Sequence, residues 1–143
     1  MQGAARLVAA VLVALALGSA RAAAVEVIAA PAAFSGRALA EEAAIRKLLE
    51  RYVHAIETKD VAQFRAVKPN LSEDEEKKAR KAFDSLQSQS VVITVQSVEV
   101  QGDTALVRVS RRDTINGTIV SSFPQSFSLA RLREEWSIRE IGR

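Results

Sequence analysis

After Gln87 the spacing of apolar residues changes from a helical period to a strand period, and it never changes back. Before that point, Ile45, Leu48, Leu49, Tyr52, Val53 and Ile56 fall on one stripe of an amphipathic helix predicted to begin at Leu39. Glu41, Glu42, Arg46, Lys47, Glu50, Arg51 and Glu57 fill the remaining faces, and the helix is predicted to end near Thr58-Lys59. Asp60 then caps a short second helix carrying Val61, Phe64 and Val67, which Pro69 stops. Ser72 and Glu75 have the spacing of a capping box, and Glu73 to Glu76 suit the positive end of a third helix. Lys77, Lys78, Arg80 and Lys81 lie toward its negative end, and Ala79, Ala82, Phe83 and Leu86 form its expected buried side. This charge run reads as a solvated helix with dipole-matched ends rather than as an electrostatic docking face.

Beyond the switch, Ser90 to Val100 is β-branched and strand-like. Gln101-Gly102-Asp103 is a tight turn, and Thr104 to Arg112 is a second strand with Ala105, Val107 and Val109 on one face. Asn116-Gly117 is a strong turn signal. A third strand covers Ile119 to Leu132, with Phe123, Gln125, Phe127 and Leu129 alternating, and Pro124 implies an edge or a bulge. Arg133-Glu134-Glu135 turns the chain into a last strand, Trp136 to Ile141. Helices that all precede an antiparallel meander must cover one face of it. The predicted class is therefore α+β, with three N-terminal helices packed on a curved antiparallel sheet of about four strands.

The chain ahead of this domain has a different character. Met1 to Arg6 carries one positive charge, Leu7 to Gly18 is an unbroken apolar run, and Ala20-Arg21-Ala22 fits a small-x-small cleavage site. A membrane-spanning helix needs roughly 20 apolar residues, which this run does not reach. The expectation is a signal peptide over residues 1–23, a flexible Ala-rich arm over 24–38, and a folded domain over 39–143. The product would be exported, to a periplasmic or extracellular location, without stable membrane insertion after cleavage. Setting aside Arg6 and Arg21 leaves 18 of the 20 basic residues against 17 acidic ones, which gives no reason to expect a nucleic-acid partner. With no cysteine and a single histidine, disulfides, a thiol nucleophile and a transition-metal site are all disfavoured, and no cofactor is expected.

The stretch Glu50 to Asp60 (ERYVHAIETKD), the later Val98 to Arg111, and the closing Phe127 to Ile138 resemble the NTF2-like superfamily. That group includes ketosteroid isomerase and the SnoaL-like and DUF4440-type proteins, and the resemblance covers about residues 39–141. It implies a cone-shaped α+β fold that hosts enzymes, ligand binders and assembly domains alike. In ketosteroid isomerase a Tyr in a matching RYV stretch donates a hydrogen bond to the developing oxyanion. Tyr52 stands at that position here, facing the sheet. The resemblance also asks for a carboxylate base after the second helix, where this chain has Val67 to Ser72 with no acid. It asks further for a protonated acid on a strand, where Gln125 stands. Two of three parts are missing, so no catalytic residue is assigned.

His54 lies on the polar face of the first helix and is expected to meet solvent. Arg111 shares a face with Val107 and Val109, where it either pairs with Asp113 or a helix carboxylate, or binds an anionic group. The candidate pocket residues are Tyr52, Gln125, Arg111, Phe123, Phe127 and Trp136. The leading expectation is a non-catalytic exported domain that binds a small apolar or amphiphilic ligand, or a protein partner. The alternatives are a SnoaL or ketosteroid isomerase-like enzyme using Tyr52 as donor, and a structural homodimerisation module using its exposed sheet face.

Overall fold

The computed structural model describes residues 32–143. The expected signal peptide, and the arm up to residue 31, lie outside the described residues. Three helices come first: α1 over Ala32–Glu57, α2 over Val61–Val67 and α3 over Glu73–Ser85. Four strands follow: β1 over Gln89–Gln101, β2 over Thr104–Ile115, β3 over Ile119–Leu132 and β4 over Glu135–Gly142. The strands form one antiparallel sheet in the order β1-β2-β3-β4. The expected class, α+β with helices on an open antiparallel sheet, is what the chain adopts.

Helix α1 begins at Ala32 rather than at Leu39. The amphipathic stripe begins only where the helix meets the sheet. Ahead of it, alanine keeps the backbone helical through propensity alone, even with Gly36 in the run. From Ala40 to Arg143 the chain is one compact unit. Its core joins Ile45, Leu48, Leu49, Tyr52 and Ile56 of α1 to Val107 and Val109 of β2, Phe127 and Leu129 of β3, and Ile138 of β4. Burying each such aliphatic or aromatic side chain contributes about 1.5–3 kcal/mol.

The caps read from the sequence are present. Asp60 accepts from the Gln63 amide, and Ser72 and Glu75 complete a reciprocal capping box. One assignment on α3 is corrected: Ala82 is exposed, while Phe83 is buried and Ala79 and Leu86 are half-buried. At 3.6 residues per turn, Ala79, Phe83 and Leu86 lie within about 60° of one another, and Ala82 stands off one side of that stripe.

The sheet is bent by two irregularities. Gln96 has no partner between Val95 and Ser97 of β1, and Arg139 none between Ile138 and Glu140 of β4. An extra residue of this kind kinks its strand and increases its twist. Strand β4 reaches only as far as the Ser126–Gly142 pair, so the first half of β3 has no neighbour on that side. Pro124 lies in this free half, where a missing N–H is tolerated. Asn116 and Gly117 both have positive φ, 51° and 75°, as the hairpin turn requires.

Candidate functional site

Periodicity on three elements brings one set of polar side chains into the apolar interior. The α1 stripe turns Tyr52 inward at 3% exposure. Alternation along β2 turns Val107, Val109, Arg111 and Asp113 to the same side, and alternation along β3 does so for Gln125 and Phe127. The β2–β3 register sets Val109 opposite Gln125 and Arg111 opposite Phe123, so the two polar residues are diagonal neighbours.

The Arg111 guanidinium organises the group. Its Nε donates to Asp113 Oδ1 at 2.6 Å and its Nη2 to Asp113 Oδ2 at 2.8 Å, a bidentate pair. Its Nη1 donates to the Tyr52 hydroxyl at 2.8 Å and, at the loose distance of 3.5 Å, to Gln125 Oε1. The Gln89 amide donates to Asp113 Oδ2 at 2.8 Å. Aromatic rings enclose these bonds. Phe127 meets the Tyr52 ring edge-on at 5.1 Å, Phe64 lies 5.9 Å from it, and Phe83 stands behind Phe64. Half-buried Phe123 lies under Arg111, with the guanidinium carbon 5.5 Å from its ring centre.

The electrostatics follow from this burial. Loss of water pushes the Tyr52 phenol above its ordinary value, and the neighbouring Arg111 charge offsets only part of that rise. Burial alone would lower the Arg111 value, but its bonds to Asp113 and Tyr52 outweigh burial and hold the guanidinium above its ordinary value. Among the described residues no buried side-chain nitrogen or oxygen lacks a partner. The cluster is thus a closed, formally neutral set: one cation, one anion and three neutral polar groups.

Five of the six candidate pocket residues, Tyr52, Gln125, Arg111, Phe123 and Phe127, meet here. Trp136 does not. Its indole Nε1 donates to Glu41 at 2.8 Å, and Arg131 lies 5.1 Å over its ring and pairs with Glu41. Glu41 is eleven residues before Tyr52 on α1, about 16 Å along the helix axis. Alternation gives the face of the sheet on which Trp136 lies but not the level along it, so this member of the pocket is corrected. His54 is exposed, as its wheel position predicts.

Two members of the cluster had no place in the sequence reading as site residues. Asp113 lies beyond the expected end of the second strand at Arg112, where the sequence offers it only as a partner for Arg111. Carried three residues further to Ile115, the same alternation points Asp113 inward. Gln89 precedes the expected start of β1 and carries no signal of its own. A separate cleft of about 500 Å³ runs between α1 and the edge strand β1. Leu49, Val53, Val91, Ile93 and Val95 form its floor, and Arg46, Glu50, His54 and Glu57 its rim. Among the described residues no group of side chains could hold a metal ion.

This architecture is that of the NTF2-like fold. The chain is similar to an NTF-2 like protein of unknown function from Shewanella oneidensis, with a TM-score of 0.57 at 9% identity over 71% of this chain and 96% of that one. It is similar also to a protein from Kribbella flavida, with a TM-score of 0.65 at 15% identity over 73% of this chain and 89% of that one. A structure from Bdellovibrio bacteriovorus matches with a TM-score of 0.60 at 11% identity over 68% of this chain, which spans only 38% of that longer protein. No protein-family model and no curated protein matches the chain by sequence.

Proposed function

We propose that this chain is an exported, non-catalytic NTF2-like domain that binds a small amphiphilic ligand at the Tyr52–Arg111–Gln125 cluster. One observation carries the reading. Asp113 holds Nε and Nη2 of Arg111 in short bonds, whereas Nη1 has Tyr52 and only a loose Gln125. That nitrogen is the exchangeable corner of the network. An oxygen on a ligand head group would replace Gln125 there, while Phe64, Phe83, Phe123 and Phe127 would enclose its apolar part. The same bonds support the non-catalytic part of the reading. Asp113 is the acid inside, and taking a proton would break its bidentate pair with Arg111. Export is supported by the leader pattern of residues 1–23, and N-terminal sequencing that finds Met1 intact would end it.

Calorimetric titration with decanoate, a medium-chain carboxylate, tests the binding. Saturable binding is expected, and Tyr52→Phe should weaken it by roughly 5- to 150-fold, equivalent to about 1–3 kcal/mol. Binding that is unchanged in both Tyr52→Phe and Gln125→Leu, or no binding at all, would refute the proposal. The enzyme reading is favoured by one observation. Because Arg111 donates to the Tyr52 oxygen, the phenolic proton is left to donate elsewhere. Turnover of a ketosteroid that Tyr52→Phe abolishes would replace the binding reading with that one.

A further inference from the structure

We infer that the α1–β1 cleft is a binding site for a linear aliphatic diamine. One ammonium group meets Glu57, the other meets Glu50, and the alkyl chain lies on the apolar floor between them. The cleft shares no residue with the Tyr52–Arg111–Gln125 cluster. Glu57 is held in place before any ligand arrives. Its Oε1 accepts from the Val91 amide at 2.9 Å, and its Oε2 makes no bond among the described residues. An ammonium that meets this second oxygen finds a carboxylate already ordered, so binding costs little further side-chain entropy.

Charge selects a cation for this cleft. Of the rim residues, Arg46 is already engaged, its Nε and Nη2 donating to Glu42 at 3.1 and 2.7 Å. Lys47 and Arg51 line the neighbouring α1–α2 side of the helix, with Glu50 and His54 on the ridge between the two clefts. Neither Glu50 nor Glu57 forms an ion pair among the described residues. The rim therefore presents two exposed carboxylates that no cation of the chain neutralises, above a floor that takes only apolar groups.

Spacing then selects a cation with two ends. Seven residues of helix separate Glu50 from Glu57, which returns to within about 20° of the same direction after about 10.5 Å along the axis. The two carboxylates thus share one stripe and stand too far apart for a single ammonium to meet both. Between them the floor is formed by Leu49 and Val53 of α1 and by Val91, Ile93 and Val95 of β1. Val91 to Val95 covers about 13 Å of strand, enough to seat a chain that reaches from one acid to the other. A short diamine leaves one acid unmet, and a monoamine of any length leaves one unneutralised.

Calorimetric titration at low ionic strength with octamethylenediamine, tetramethylenediamine and octylamine tests this. Octamethylenediamine is expected to bind saturably, one molecule per chain, about fivefold more tightly than either of the others, and to weaken as salt is added. Glu50→Gln and Glu57→Gln should each lower its affinity to that of octylamine, because each leaves one acid to meet one ammonium. Glu57→Gln retains a side-chain oxygen for the Val91 amide, and circular dichroism checks that it folds; should it fail to fold, Glu50→Gln decides alone. No saturable binding of octamethylenediamine up to about 10 mM would overturn the inference. So would equal affinity for the diamine and the monoamine in the parent chain, or a preference for the long diamine that survives in the folded Gln variants.

Discussion

Tyr52 is the only tyrosine in the chain, so its ionisation can be followed directly by phenolate absorbance. Burial raises its pKa above the ordinary 10.0. The folded state therefore keeps the proton at a pH where the unfolded state has released it. The stability linked to this group is full below the ordinary value and is lost as pH rises through the folded value. Stability is expected to fall with increasing alkalinity from about pH 10, and Tyr52→Phe should flatten that decline. A phenolate transition at or below the ordinary value, or an alkaline slope unchanged in the variant, would show that the hydroxyl is not buried against Arg111. At neutral pH the same variant leaves Arg111 Nη1 with only the loose Gln125 contact, which should cost about 1–3 kcal/mol.

At the level of elements, what could be read from the sequence was whatever local chemistry decides. Strand β3 begins and ends where its turn residues place it, because Asn116-Gly117 and Arg133-Glu134 adopt positive φ on either side. The start of α1 was misplaced because Ala-rich sequence favours helix without showing an amphipathic period. Inward faces were legible from periods of 3.6 and 2, which is why Tyr52, Arg111 and Gln125 were brought together correctly. Levels are not legible, since register is a relation between strands, and for that reason the place of Trp136 at the Glu41 level of α1 does not follow from alternation. Asn116 shows how an element boundary can do more than its turn signal implies. Its side-chain oxygen accepts from the Gln87 and Ser88 amides at 2.9 and 3.2 Å, tying the β2–β3 turn to the entry of β1. Asn116→Gly keeps the left-handed backbone and removes only that acceptor, whereas Asn116→Ala loses both. The Gly variant is expected to lose about 0.5–1.5 kcal/mol in urea denaturation, and the Ala variant about 1–2 kcal/mol beyond that. A Gly variant as stable as the parent would assign the residue a purely conformational role.

At the scale of the whole folded unit, α1 crosses the sheet from one edge to the other and makes a polar attachment at each stage. Glu41 meets Trp136 of β4 and Arg131 of β3, Tyr52 meets Arg111 of β2, and Glu57 meets the Val91 amide of β1. The apolar stripe between these points supplies most of the stabilisation, and the attachments fix the level at which the helix lies. Trp136 holds the β4 end: it is buried to 7% exposure, closes the core beside Ile138, and donates to the helix. Truncating a large aromatic side chain in a core costs roughly 3–5 kcal/mol, against a total of about 5–15 kcal/mol for a domain of this size. Trp136→Ala should therefore shift the denaturant midpoint strongly. The transition must be followed by circular dichroism, because the substitution removes the only tryptophan. Trp136→Phe separates the two contributions: it retains most of the buried ring and loses the bond to Glu41, so a smaller loss of about 1–3 kcal/mol is expected. Equal losses in the two variants would mean that the hydrogen bond to α1, rather than the packing, secures this end. An unchanged midpoint in Trp136→Ala would mean that neither does, and that the apolar stripe of α1 with its Tyr52 and Glu57 attachments holds the helix without the β4 end.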